Sequence, residues 1–245
     1  MDEVLGYESR DQIAVITLNR PAKRNAVDEA MAVALRAAWL RFQAGEDRVA
    51  VITGAGGHFC GGMDIKAPPQ DFGSSIPGVA MPLDKPVIAA VPGWCAGGGV
   101  VIVQHCDLCV AATDARFVFP EARVGTTGGM IAGLATRMPH KVAMELMLLG
   151  EPLTAQRAYD VGFVNRLVEP GQELAAAMTM ARTLAESAPL VLSTLKRYVD
   201  SLVAPSPTYT AAMVRNEVGR LRASEDFAEG VAAFKAKRKP AFKGR

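Results

Sequence analysis

Cysteine, histidine and aromatic residues are scarce in this sequence, and neither sign of charge dominates. Four cysteines in 245 residues cannot form a disulfide scaffold, and three histidines leave little material for a metal site. The formal net charge is +2, from 27 basic and 25 acidic residues, which argues against a dedicated nucleic-acid binder. The first ten residues, MDEVLGYESR, hold neither the apolar core of a secretory signal nor the arginines of a transit peptide. The long uncharged stretch from Pro86 to Cys106 reaches the length of a membrane span. Pro92, Gly93, Gly97, Gly98 and Gly99 break it, and a broken helix in lipid leaves backbone groups unsatisfied. A buried strand, a turn and a helix start account for it better. These absences predict a soluble, cytoplasmic protein kept in a reducing compartment.

What is present is apolar and glycine-punctuated. Half of the residues are hydrophobic, so the chain buries a core, and its length suits one large domain with an appendage. Of 23 glycines, 13 lie in three windows: residues 54–62, 93–99 and 125–133. The first two follow short β-rich runs, Val49–Thr53 and Val87–Val91, which read as buried strands. Further strands are expected at Ile13–Leu18, Leu108–Ala112, Phe117–Phe119 and Val164–Val168. Met31, Leu35, Ala38 and Phe42 recur at helical spacing behind Asp28, a fitting N-cap. Helix is also expected after Gly98. Strands alternating with helices imply an α/β architecture with parallel pairing. Helices at Glu173–Ser187, Leu190–Leu202, Thr208–Ser224 and Glu225–Lys237 then close the chain. The expected division is an α/β core over residues 1–180 and a helical assembly segment over 181–245.

Two glycine turns on neighbouring strands can aim two main-chain N–H groups at one developing oxyanion. The turns are His58–Lys66 and Trp94–Val101. Glu121, in Phe119-Pro-Glu-Ala-Arg, follows a short β run and precedes the third window, where a carboxylate suits general acid/base work. Taken singly, the glycines also read as packing devices, and Glu121 as a surface partner of Arg123. Phosphate-loop and nucleophile-elbow templates are absent, and Gly54-Ala-Gly-Gly57 is too incomplete for a dinucleotide site. Cys106 and Cys109 read as structural thiols. Met144, Leu146 and Met147 read as core.

Together these pieces resemble the enoyl-CoA hydratase/isomerase superfamily, the crotonases. The resemblance rests on Ile16–Pro21 with Asn25-Ala26, Val51–Gly54, Phe59–Lys66, Lys85-Pro86, Gly93–Gly99, Cys106-Asp107 and Phe119–Glu121. It extends through Leu149-Gly150, Ala155 to Val164-Asn165, and the Phe234–Pro240 tail. It implies a crotonase-type spiral of ββα units with a C-terminal helical region that builds a homotrimer or hexamer. It implies an acyl-CoA thioester substrate, with coenzyme A carried by the substrate and no separate cofactor or metal. The backbone N–H groups of Met63 and Gly98 map onto the family's oxyanion hole, and Glu121 onto an acid/base. Lys23, Arg24, Ala26, Cys60, Met63, Asp64, Ile65, Lys66, Gly97, Gly98 and Val101 map onto the CoA and acyl contacts.

One departure matters. Well-studied hydratases of the family carry two glutamates, and Val101 stands at the first position. A valine cannot orient or deprotonate water. One base suffices to move a proton between two carbons, so the resemblance leans towards double-bond isomerisation. His105, one helical turn on, is a candidate substitute. Hydration with altered water positioning, another enolate reaction (decarboxylation, thioester hydrolysis) and a non-catalytic CoA- or RNA-binding role stay open. The last is motivated by a tail, Lys235–Arg245, with six cations and no acids.

Overall fold

The computed structural model describes residues 4–202, 214, 218 and 221–245. Strands β1 (Leu5–Arg10) and β2 (Ile13–Leu18) form an antiparallel hairpin. Asp11 and Gln12 both take positive φ, the geometry of a two-residue hairpin turn that matches the strand twist. Strands β3 (Val49–Gly54), β4 (Val87–Val91), β6 (Leu108–Ala112) and β9 (Arg166–Val168) then add in parallel, giving the order β1-β2-β3-β4-β6-β9. A second sheet runs β5-β7-β8, from Trp94–Ala96, Arg116–Val118 and Leu153–Thr154.

The chain alternates between the two sheets. After β4 it enters β5 and then α2 (Gly98–Gln104). After β6 it enters β7 and then α3 (Glu121–Val124). Each unit places one strand in each sheet and then a helix, which is the ββα spiral expected. Because side chains alternate along a strand, every central strand feeds two cores. Val49, Val51, Ile88, Ala90 and Val110 face one side, while Ala50, Ile52, Ala89 and Val91 face the other.

Helix α6 (Glu173–Ala185) covers the first side with Ala177, Ala181 and Ala185, small residues at one-turn spacing that let it lie close to the sheet. The expected division at residue 180 therefore falls inside a helix packed on the sheet. Helix α1 (Glu29–Ala44) covers part of the second side with Met31, Leu35, Trp39 and Phe42, all buried. Asp28 caps it, its carboxylate accepting from the Met31 N–H at 3.0 Å. Each such large side chain contributes about 1.5–3 kcal/mol by leaving water. Lys85 closes the other end of α1, donating to the carbonyls of Phe42, Gly45 and Asp47.

Other parts of the sequence pattern are structural ties. Asp107 accepts from the Val87 N–H, and Asn165 from the Cys109 N–H, pinning neighbouring parallel strands. All four cysteines are buried free thiols. Helices α4 (His140–Leu149), α5 (Ala155–Asp160), α7 (Pro189–Leu202) and α8 (Glu225–Lys235) complete the described elements. Leu146 of α4 is core, whereas Met144 and Met147 are half-buried. Most of the expected helix Thr208–Ser224 lies outside the described residues. No described helix is long and apolar enough to cross a membrane.

The basic tail is neither free nor extended. Arg238 pairs with Glu229 at 2.6 Å, Arg245 with Glu225 at 3.2 Å, and the Lys243 and Gly244 N–H groups donate to Asp226. The acids at the start of α8 thus hold the tail against their own helix.

Candidate active site

Two loops converge beneath α3. The first leaves β3 and runs through Cys60–Lys66. Asn25, buried and in the left-handed conformation, holds its base. The Asn25 side-chain amide donates to the carbonyls of Ala55 and His58, and its oxygen accepts from the Arg20 N–H. Arg20 reaches on to Asp28 at 2.8 Å and Asp64 at 3.4 Å in a half-buried ion network. Asp64 also accepts from the Lys66 N–H. The Met63–Lys66 turn is thereby fastened to the start of α1.

The second loop links β5 to α2 through Gly97 and Gly98. Gly97 has φ +51°, and a Cβ there meets the Glu121 Oε1 at 2.6 Å. A Cβ on Gly98 meets the Phe72 ring at 2.4 Å. Both positions therefore require glycine so that a carboxylate and an aromatic ring can lie on bare backbone. Among the described residues, neither the Met63 nor the Gly98 N–H donates to a backbone acceptor. Their neighbours are engaged: the Gly62 N–H donates to the Cys60 Sγ, Asp64 to the Val27 carbonyl and Gly97 to the Val118 carbonyl.

Glu121 opens α3, behind Pro120. Its Oε2 is shut off from solvent with no hydrogen-bond partner among the described residues. Burial pushes its carboxyl up to about 8, with only its own backbone N–H pulling the other way. At neutral pH this burial favours the protonated form.

Two cavities meet at this carboxyl. One, of about 170 Å³, runs inward past Gly98, Val101, Phe72, Phe119, Met130 and Ile131. The other, of about 370 Å³, runs outward past Gly97, Ala26, Lys23, Ile65, Lys66 and Phe234. Met63, Glu121 and Thr126 line both. The structure therefore gathers Lys23, Ala26, Met63, Asp64, Ile65, Lys66, Gly97, Gly98, Val101 and Glu121 around one continuous space.

Arg24 and Cys60, both expected among the contacts, line neither cavity. Arg24 takes a left-handed φ, and its carbonyl accepts from the Gly61 N–H. Cys60 is buried beneath the loop, its thiol donating to the Asn25 carbonyl at 3.2 Å, and burial pushes it up to about 12. His105 turns the other way. Its Nδ1 sits 2.8 Å from the Val101 carbonyl, and its ring lines a separate cavity with Asp107, Arg137 and Lys196. It does not stand in for the missing glutamate.

Sequence reasoning missed Phe72, Thr126 and Arg222. Phe72 sits in a Pro/Gly-rich segment without periodicity, where a lone aromatic was the only signal. Trp39 fixes its turn, donating from its indole N–H to the Ser75 carbonyl at 2.9 Å. Thr126 belongs to the third glycine window, which was noted without assigning its polar members.

Comparison with known proteins shows the family of the chain. The sequence profile of the enoyl-CoA hydratase/isomerase family matches residues 8–245. An enoyl-CoA hydratase of Mycobacterium tuberculosis is 34% identical over 97% of this chain and 96% of its own length. A carnitinyl-CoA dehydratase of Salmonella enteritidis is 36% identical over the full length of both chains. The crystal structure of a carnitinyl-CoA hydratase from Mycobacterium avium superposes with a TM-score of 0.91, at 34% identity and complete coverage of both chains. The chain is an α/β enzyme belonging to the enoyl-CoA hydratase/isomerase (crotonase) family.

Proposed function

We propose that the chain processes an enoyl-CoA thioester through an enolate, with Glu121 as the single acid/base. The carrying observation is the meeting of an inner apolar cavity and an outer lysine-lined groove at Glu121 and Met63. In this reading the acyl group lies inward and the CoA arm outward past Lys23 and Lys66. The Met63 and Gly98 N–H groups polarise the thioester carbonyl and stabilise the enolate oxygen. The ionised form of Glu121, a minor fraction at neutral pH that grows toward 8, removes a proton, and the acid so formed returns it to another carbon. Val101, apolar and 4% exposed, offers no second proton carrier. That favours isomerisation of the double bond.

A second reading is hydration or dehydration, with Glu121 alone holding the water. The names of the two related hydratases and the related dehydratase favour it. A panel of 2-enoyl- and 3-enoyl-CoA substrates, followed by ultraviolet absorbance and mass spectrometry, separates the two. The isomerase reading predicts exchange between the panels in wild type and hydration only in Val101→Glu. Rapid hydration by wild type decides for the second reading, and turnover surviving in Glu121→Gln removes both.

The face of α7 bearing Leu190, Val191, Leu195, Tyr198 and Val199 is exposed. It supports the proposed trimeric or hexameric assembly, for which sedimentation is the test.

A further inference from the structure

The inner cavity changes character from floor to mouth. Around Gly98 and Val101 it is apolar, with Phe72, Phe119 and Met130 as walls. Toward its mouth it gains Gln70, Asp71, Thr127 and Arg222. A simple hydrocarbon chain gains nothing from a guanidinium in its pocket.

Among the described residues there, Asp71 and Arg222 carry charge. Asp71 is engaged, and its Oδ1 is turned back over its own turn, 3.1 Å from where a Gly73 Cβ stands. Glu121, the other acid on the cavity, has its carboxyl pushed up to about 8 by burial. Arg222 is exposed, makes no hydrogen bond or ion pair with the described residues, and carries five N–H donors. Size sets the second limit. At about 170 Å³, the cavity is close to one that holds a benzene-sized guest.

We infer that the enzyme selects short acyl-CoA thioesters whose acyl group ends in an anion, held by Arg222: mono-CoA esters of dicarboxylic acids of about six carbons. A carboxylate at the far end of such a chain replaces water on the guanidinium in bidentate fashion. The thioester end remains at Met63 and Gly98. Because Arg222 is exposed, the preference is modest, about tenfold over the neutral chain of equal length. The inference rests on the orientation proposed above, with the acyl group inward.

The test separates binding from chemistry. Hexanoyl-CoA and the mono-CoA ester of adipic acid are both saturated and cannot react, and calorimetry gives their Kd values on wild type, Arg222→Ala and Arg222→Lys. The expected result is tighter binding of the dicarboxylic ester by about tenfold in wild type. That margin vanishes in Arg222→Ala and survives in part in Arg222→Lys, while hexanoyl-CoA binds all three alike. Equal or weaker binding of the dicarboxylic ester by wild type overturns the inference, as does a margin that persists in Arg222→Ala. Failure of the enolate reading shows elsewhere, as turnover of enoyl-CoA that survives Glu121→Gln.

Discussion

The two faces of the large sheet are built to opposite rules. On one face α6 lays Ala177, Ala181 and Ala185 onto Val49, Val51, Ile88 and Val110. That layer is apolar where helix meets sheet, and Arg48 closes its edge by donating to the Ala185 carbonyl. Facing the other way, the loops that leave β3 and β5 gather at Glu121, where a carboxyl lies buried without a hydrogen-bond partner on bare glycine backbone. The first face gains stability from close apolar contact. The second gives up stability to keep a carboxyl dry and, among the described residues, two N–H groups without a backbone acceptor. Strand alternation lets five residues of sequence serve both, so a single strand such as β4 supports the packed layer and the reactive one at once.

Substitutions on each face should therefore fail in different ways. The largest effect is expected from Glu121→Gln, which should lower turnover by two to four orders of magnitude while CoA-thioester binding persists. Ala181→Asp on the opposite face should do the reverse. It buries a charge between helix and sheet and should cost about 3 kcal/mol or more in denaturant unfolding, with kcat per folded molecule unchanged. If Ala181→Asp altered kcat instead, the two faces would not be independent.

A smaller effect sharpens the contrast further. Since the folded carboxyl titrates near 8 and the unfolded one near 4.5, the folded chain holds an extra proton between those values. Stability should thus fall as pH rises through that window and level off above it. Glu121→Gln removes this dependence, so the variant should melt a few degrees above wild type at about pH 8, and the gap should close toward pH 4.5. Thermal melts across pH check this. The smallest effect is expected at the surface. Arg238→Ala breaks an exposed pair with Glu229 and should leave the melting temperature and the activity nearly unaltered.

Much of the packed face was legible in the sequence. The runs Val49–Thr53, Val87–Val91 and Leu108–Ala112 are too apolar to be anything but buried strands, and the structure places them there within a residue. The hairpin strand β1 was not legible, because Glu8, Ser9 and Arg10 are exposed at a sheet edge and carry no apolar signal. Strand β5 was hidden inside what read as a glycine turn, and β8 is only two residues long.

The reactive face was half legible. Glycine spacing and the Pro120-Glu121 pair marked the loops, and the resemblance ordered them. Phe72 and Arg222 were invisible because each reaches the cavity from a segment far away in sequence. The direction of His105, left open by the sequence, has a related cause. One turn of helix after Val101 places a residue on the same side only approximately, and the ring lies against a different cavity.

Difference infrared spectroscopy of wild type against Glu121→Gln reads the ionisation of Glu121, the proposed acid/base, directly. A protonated carboxyl band that persists through neutral pH and disappears around 8 is the expected result. A band already lost near the ordinary glutamate value of about 4.3 would contradict it.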